Sequence, residues 1–142
     1  HVASHGQIVP ASGLYAHLKL SDGDLHYDEV ARLNLAGALV VLAACEGAAV
    51  ETLPGEEVLS LSRALLIAGA RDVVASIWQL FDPVAPLLLD RLYAALADGL
   101  DAPAALAQAQ RAWLDDPELA ALGRAPLVWA GLCALGVGSL TA

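Results

Sequence analysis

LVVLAACEGA, residues 39–48, is the stretch on which the fold turns. With Ala38 its apolar part, residues 38–44, shows no alternation of apolar and polar side chains, so both faces must be covered. That predicts a central strand of a parallel sheet. The run stops at Cys45 and is followed at once by Glu46 and Gly47, a thiol, a carboxylate and a glycine. Read from the residues alone, Cys45 is either a small core filler or a nucleophile on a strand tip.

Downstream, CEGAAVETLPGEE is a loop of about a dozen residues, longer than most connections and therefore suited to a task. Residues 56–69 then read as a helix, acidic at its start, apolar on Val58, Leu61, Leu65 and Leu66, and closed by Gly69. Residues 72–78 form a second buried strand, 83–99 and 102–114 amphipathic helices, and 127–136 a last strand. Upstream, HVAS (1–4) is β-prone, HGQIVPASG (5–13) reads as a loop, LYAHLKL (14–20) as a half-exposed strand, SDGD (21–24) as a turn and 27–33 as a short helix. Strands alternating with helices predict an α/β sandwich on a largely parallel sheet. In such sheets sites gather beyond the carboxyl ends of the strands. Three places meet that rule: His5-Gly6, Cys45-Glu46-Gly47, and Gln79 to Asp82.

The chain has 142 residues, the size of one domain, with 58% hydrophobic and 16% charged residues, and a mean hydropathy of +0.60. Some of this apolar surface is expected to lie against another segment or chain. No apolar run reaches the roughly 18 residues of a membrane span, so a soluble protein with no membrane partner is predicted. A net charge of −9 with seven Lys and Arg leaves no basic stripe for a phosphate backbone, which excludes nucleic acid as a direct ligand. Cys45 and Cys133 stand in separate apolar stretches without metal spacing, which points to neither a disulfide framework nor a zinc site but to a reducing, cytoplasmic location. No charged segment followed by an apolar run opens the sequence, so no signal peptide is predicted, and HVAS reads as a strand already under way, so a fragment of a longer protein is expected.

His5 and Cys45 each directly follow a strand, and neighbouring parallel strands would bring those ends side by side. A thiol of pKa ~8.5 is mostly protonated at neutral pH, and a nearby imidazole can stabilise the thiolate or take its proton. Gly6 lets its backbone N–H approach a carbonyl closely, and with the N–H of Cys45 would form an oxyanion hole. The plainer reading makes Cys45 packing and His5 a turn residue.

HVASHG and LVVLAACEGA, followed by GEEVLSLSRALLIAGARDVVASIWQLFD, resemble the CHAT family, caspase-like domains often fused to tetratricopeptide repeats and grouped with caspases, separases and gingipain-type peptidases. LKLSDGDL, AQRAWL and WAGLCALG extend the likeness nearly end to end. The resemblance implies a caspase-like three-layer α/β/α sandwich with a mainly parallel sheet, one domain over residues 1–142 lacking its N-terminal strands, so that HVAS becomes an edge. It implies that His5 is the general base and Cys45 the nucleophile of a cysteine endopeptidase. No cofactor is required. The implied partners are a protein or peptide substrate and a regulatory repeat domain or partner protein.

For substrate choice the resemblance implies IWQLFD (77–82), which follows the strand next to the nucleophile, where caspase-like enzymes build the pocket for the side chain before the cut. Asp82, with Glu46 or Glu51, would pair an Arg or Lys side chain; alternatively Asp82 caps the helix that begins at Pro83. Trp78 is a pocket wall or core, Gln79 lies beside it, and Trp113 and Trp129 read as core. Two other readings remain open. One is a non-catalytic interaction module of the same fold, against which the retention of both His5 and Cys45 speaks. The other is an acyl-transfer enzyme using the same pair.

Overall fold

A computed structural model describes residues 1–8, 16–44, 56–78 and 80–137, with residues 5–8, 44 and 56–60 described by backbone alone. In chain order the elements are β1 (Val2–Ile8), β2 (Ala16–Leu20), β3 (Gly23–His26), α1 (Tyr27–Val30), β4 (Leu39–Ala44), α2 (Glu56–Ile67), β5 (Asp72–Ser76), α3 (Ala85–Ala97), α4 (Ala102–Asp115), α5 (Pro117–Leu122), α6 (Pro126–Trp129) and β6 (Leu132–Gly136). The strands form one sheet in the order β3-β2-β1-β4-β5-β6. Its centre is parallel, β1 against β4 and β4 against β5, while β2, β3 and β6 join antiparallel. Strands β1, β3, β4 and β5 therefore run one way and β2 and β6 the other.

The period-2 geometry of a strand explains the three layers. Val40 and Leu42 of β4 and Val73 and Ala75 of β5 point to one side, where they pack with Val30 of α1 and Leu61, Ala64 and Leu65 of α2. Val41 and Val74 point to the other, against Leu88 and Leu92 of α3 and Ala105, Leu106 and Ala109 of α4. All five residues of β5 are buried. The unbroken apolar run of β4 and the Val73–Ala75 centre of β5 thus have the covered faces that their composition requires.

Helix ends follow local chemistry. Asp101 caps α4 by accepting from the Ala104 N–H at 2.9 Å, and Pro103 falls in its first turn. Asp116 caps α5 by accepting from the N–H groups of Glu118 and Leu119. Gly69 and Gly99, just beyond α2 and α3, adopt φ of +96° and +91°, the left-handed turn that ends a helix at little cost in glycine.

Several expectations change. Residues 5–8 were expected in a loop, but they continue β1, because β2 supplies an antiparallel partner for each of them. HVAS does not open an edge strand, since β1 as a whole stands between β2 and β4 in the sheet, with residues 2–4 in register with β4 and residues 5–8 with β2. The turn expected over SDGD is only its first half, since β3 starts at Gly23 and pairs back to Leu20. The expected strand over 127–136 divides into α6 and β6, with Pro126 starting the helix. α5 was not foreseen. Helix α3 begins at Ala85 rather than Pro83. Among the described residues no helix is long and apolar enough to cross a membrane.

Candidate functional site

The first rim position is set by β1. Its ladder with β4 pairs Val2 with Leu42, Ala3 with Ala43 and Ser4 with Ala44. The next residue along each chain is His5 and Cys45. From His5 onward β1 changes partner: His5 is in register with Lys19 and Gly6 with Leu18 of β2. The Ser4 hydroxyl, at the changeover, donates to the Lys19 carbonyl. Thus His5 and Gly6 occupy the point at which β1 leaves β4. Cys45, Glu46, Gly47, Glu51 and Gln79 lie outside the described residues.

The rim beyond β5 is described in more detail. The β5–β6 ladder ends with Ser76 opposite Leu132, and one further bond, from the Ile77 N–H to the Gly131 carbonyl at 2.8 Å, prolongs it. Trp78 is half-buried and its indole N–H donates to the Leu127 carbonyl at 3.0 Å. Leu80 turns back into the core, 3% exposed, while Phe81 is 50% exposed. Leu80, Phe81, Asp82 and Pro83 line a cavity of about 470 Å³.

Asp82 is exposed. The N-cap position of α3 belongs to Val84, and no side chain bonds to that cap. The reading of Asp82 as a helix cap is therefore not realised. Among the described residues Asp82 has no ion-pair partner, whereas Asp24, Asp28, Asp72 and Asp116 each have one. A carboxylate free of internal partners beside a cavity can receive a cation from outside.

Two further tryptophans act on the chain between α5 and β6. Trp113 is fully buried, as expected of core, and its indole N–H donates to the Gly123 carbonyl at 3.1 Å. Trp129 is only half-buried and donates to the Arg124 carbonyl at 3.1 Å. With Trp78 this makes three indole N–H groups holding the backbone of residues 123–127. Sequence reading did not pick out this segment. Its signal was Gly123 and Gly131, where a Cβ would meet Val128 Cγ2 at 2.7 Å and Trp78 Nε1 at 2.9 Å respectively, the mark of close backbone approach.

Cys133 offers a contrast to a rim thiol. It pairs with Ala75 inside the β5–β6 ladder. Burial pushes its thiol up, outweighing the opposite effect of hydrogen bonding with the Ala75 backbone, so it is held as an unreactive S–H at neutral pH. Among the described residues no three His, Cys, Asp or Glu side chains are gathered to hold a metal ion.

No curated protein matches the chain by sequence. The family model for the CHAT domain matches residues 1–137, from the first strand of the sheet through the last. The match covers every described element, and the caspase-like α/β/α layering agrees with it: the chain belongs to the CHAT domain family.

Proposed function

We propose that the chain is the site-bearing part of a cysteine endopeptidase, with Cys45 as nucleophile and His5 as general base. The observation that carries this reading is the pairing of Ser4 with Ala44, since one step further along both parallel strands are His5 and Cys45. The His5 imidazole takes the thiol proton as sulfur attacks the scissile carbonyl carbon. The tetrahedral oxyanion is held by the backbone N–H groups of Gly6 and Cys45. Collapse breaks the C–N bond, the proton passes from His5 to the departing amine, and a thioester remains. Water, deprotonated by His5, then attacks the thioester; the C–S bond breaks, the peptide acid leaves and the thiol is restored.

Asp82 supports a preference for Arg or Lys before the cut, because it lines the cavity and has no ion-pair partner among the described residues. Glu46, Trp78 and Gln79 are the further residues proposed for substrate contact. The enzyme acts in the cytoplasm, where both cysteines stay reduced, on a protein or peptide substrate and under control of an attached repeat domain or partner. A second reading, a caspase-like docking module, draws on the exposed apolar side chains Ile67, Leu127 and Val137, 58%, 57% and 67% exposed. The two are separated by labelling the full-length protein with an acyloxymethyl ketone carrying Arg. The peptidase reading expects Cys45 to be modified far faster than Cys133, with Cys45→Ala abolishing cleavage and keeping the fold. Equal, slow modification of both thiols favours the docking module.

A further inference from the structure

We infer that residues 124–131 form a strap that positions the wall of the Asp82 cavity, with Gly131 and Trp78 as its positioning residues for a cationic substrate side chain. The inference rests on the reading of Asp82 as substrate-binding. The strap is closed on itself: Val128 N–H donates to the Ala125 carbonyl at 2.9 Å, Ala130 N–H to the Pro126 carbonyl at 2.8 Å, and the Trp129 indole to Arg124. It is fastened at three points, to Ile77, Trp78 and Leu80. Ile77 bonds to the Gly131 carbonyl, Trp78 bonds to the Leu127 carbonyl, and Leu80 packs where Gly131 lacks a side chain.

The third point couples the strap to the cavity. A Cβ at position 131 would fall onto Leu80 Cδ2 and lie 2.9 Å from Trp78 Nε1. Leu80 is a core residue, packed with Val74, Leu88 and Leu132, and also a wall of the cavity that Asp82 lines. Its core neighbours leave it little room to yield inward, because packed interiors hold few voids. A methyl group at 131 must therefore push Leu80 towards the cavity, or push the strap outward and break the bond between Trp78 and Leu127. Either movement displaces the wall two residues from Asp82. Gly131 acts here by close approach and not by backbone conformation, since its φ is not in the left-handed region.

The probe is benzamidine, a small planar cation, titrated by calorimetry into the full-length protein, a measurement that needs no turnover. Wild type is expected to bind, Asp82→Asn to bind about tenfold more weakly because the charge is gone, and Gly131→Ala to bind about tenfold more weakly because the wall beside the carboxylate is displaced. Adding Leu80→Ala to Gly131→Ala makes room for the methyl group and is expected to restore most of the affinity. Trp78→Phe keeps the ring but loses the N–H; faster amide exchange at Val128 and Ala130, with weaker benzamidine binding, is expected, and this variant carries the test should Gly131→Ala fail to fold. With an Arg peptide the loss should fall on KM while kcat holds. A wild type that ignores benzamidine, equal affinity in wild type and Gly131→Ala, or no recovery in the double variant overturns the inference. Intact benzamidine binding without cleavage of any peptide would instead count against the peptidase reading alone.

Discussion

Replacing Asp82 by Asn separates two roles that one carboxylate can play. A helix N-cap replaced by a non-capping residue costs about 1 kcal/mol, but Asp82 does not cap α3, whose N-cap is Val84, and the described residues give it no ion pair. Asp82→Asn and Asp82→Ala are therefore expected to leave unfolding free energy within about 0.5 kcal/mol of wild type. Recognition should respond differently. Opposite charges 4 Å apart attract by about 1 kcal/mol in water and about 4 kcal/mol at an effective dielectric of 20. Since Asp82 is exposed on an open cavity, the lower end applies, and kcat/KM for an Arg peptide should fall about tenfold, which corresponds to ~1.4 kcal/mol. A matched peptide with citrulline, of the same shape and no charge, should be cut equally by both forms. The Arg advantage should also shrink with added salt. Urea denaturation and paired peptide kinetics measure both halves. A stability loss of about 1 kcal/mol in Asp82→Ala but not in Asp82→Asn, which could still cap, would restore the capping role, and equal losses on Arg and citrulline peptides would remove Asp82 from substrate selection.

Other consequences are independent of the proposed chemistry. Because burial raises the Cys133 thiol, the folded state favours S–H, so its contribution is full below the ordinary thiol pKa of about 8.5 and is lost as pH rises through the higher native value. Cys133→Ala should flatten that alkaline decline in a pH series of melting curves; an unchanged slope would refute the assignment. Asp116 caps α5 and also accepts from Arg91 at 3.0 Å. Asp116→Ala should cost about 2 kcal/mol, combining a cap of ~1 kcal/mol with a half-buried ion pair of similar or smaller worth, whereas Asp116→Asn, which can still cap, should cost less than half as much. Gly136 has φ +143° and a Cβ there would lie 2.5 Å from Asp72 Oδ1, so Gly136→Ala should destabilise by about 3 kcal/mol by combining strain with a backbone clash. A loss below about 1 kcal/mol would show that the end of β6 can shift.

Much of the layering is legible locally. The apolar runs 39–44 and 72–76 announce strands covered on both faces, and the spacing of Leu61, Leu65, Leu88 and Leu92 announces the helices that cover them. What is not legible depends on partners far along the chain. HGQI contains a glycine and two polar residues and looks like a loop; only the presence of β2, read separately, makes it strand. The same holds for β3, a four-residue edge whose sequence is half turn. The split of 127–136 into α6 and β6 follows from Pro126 and from the glycine at 131 packing against Leu80, a contact between residues 51 positions apart.

The candidate site divides in the same way. Composition and order place a thiol directly after the apolar run 38–44, because the end of an apolar run is a local property, but they put the imidazole after a strand that in fact continues: β2 carries β1 on through Ile8, so His5 lies within β1 at the point where it changes partner. Which strands are neighbours, and in which register, is decided by tertiary structure, since a ladder of hydrogen bonds joins residues that have no local preference for one another. So it is with Asp82: its position before a proline permits either a cap or a carboxylate left for other contacts, and only the start of α3 at Ala85, three residues later, removes it from the cap, beside the cavity it lines.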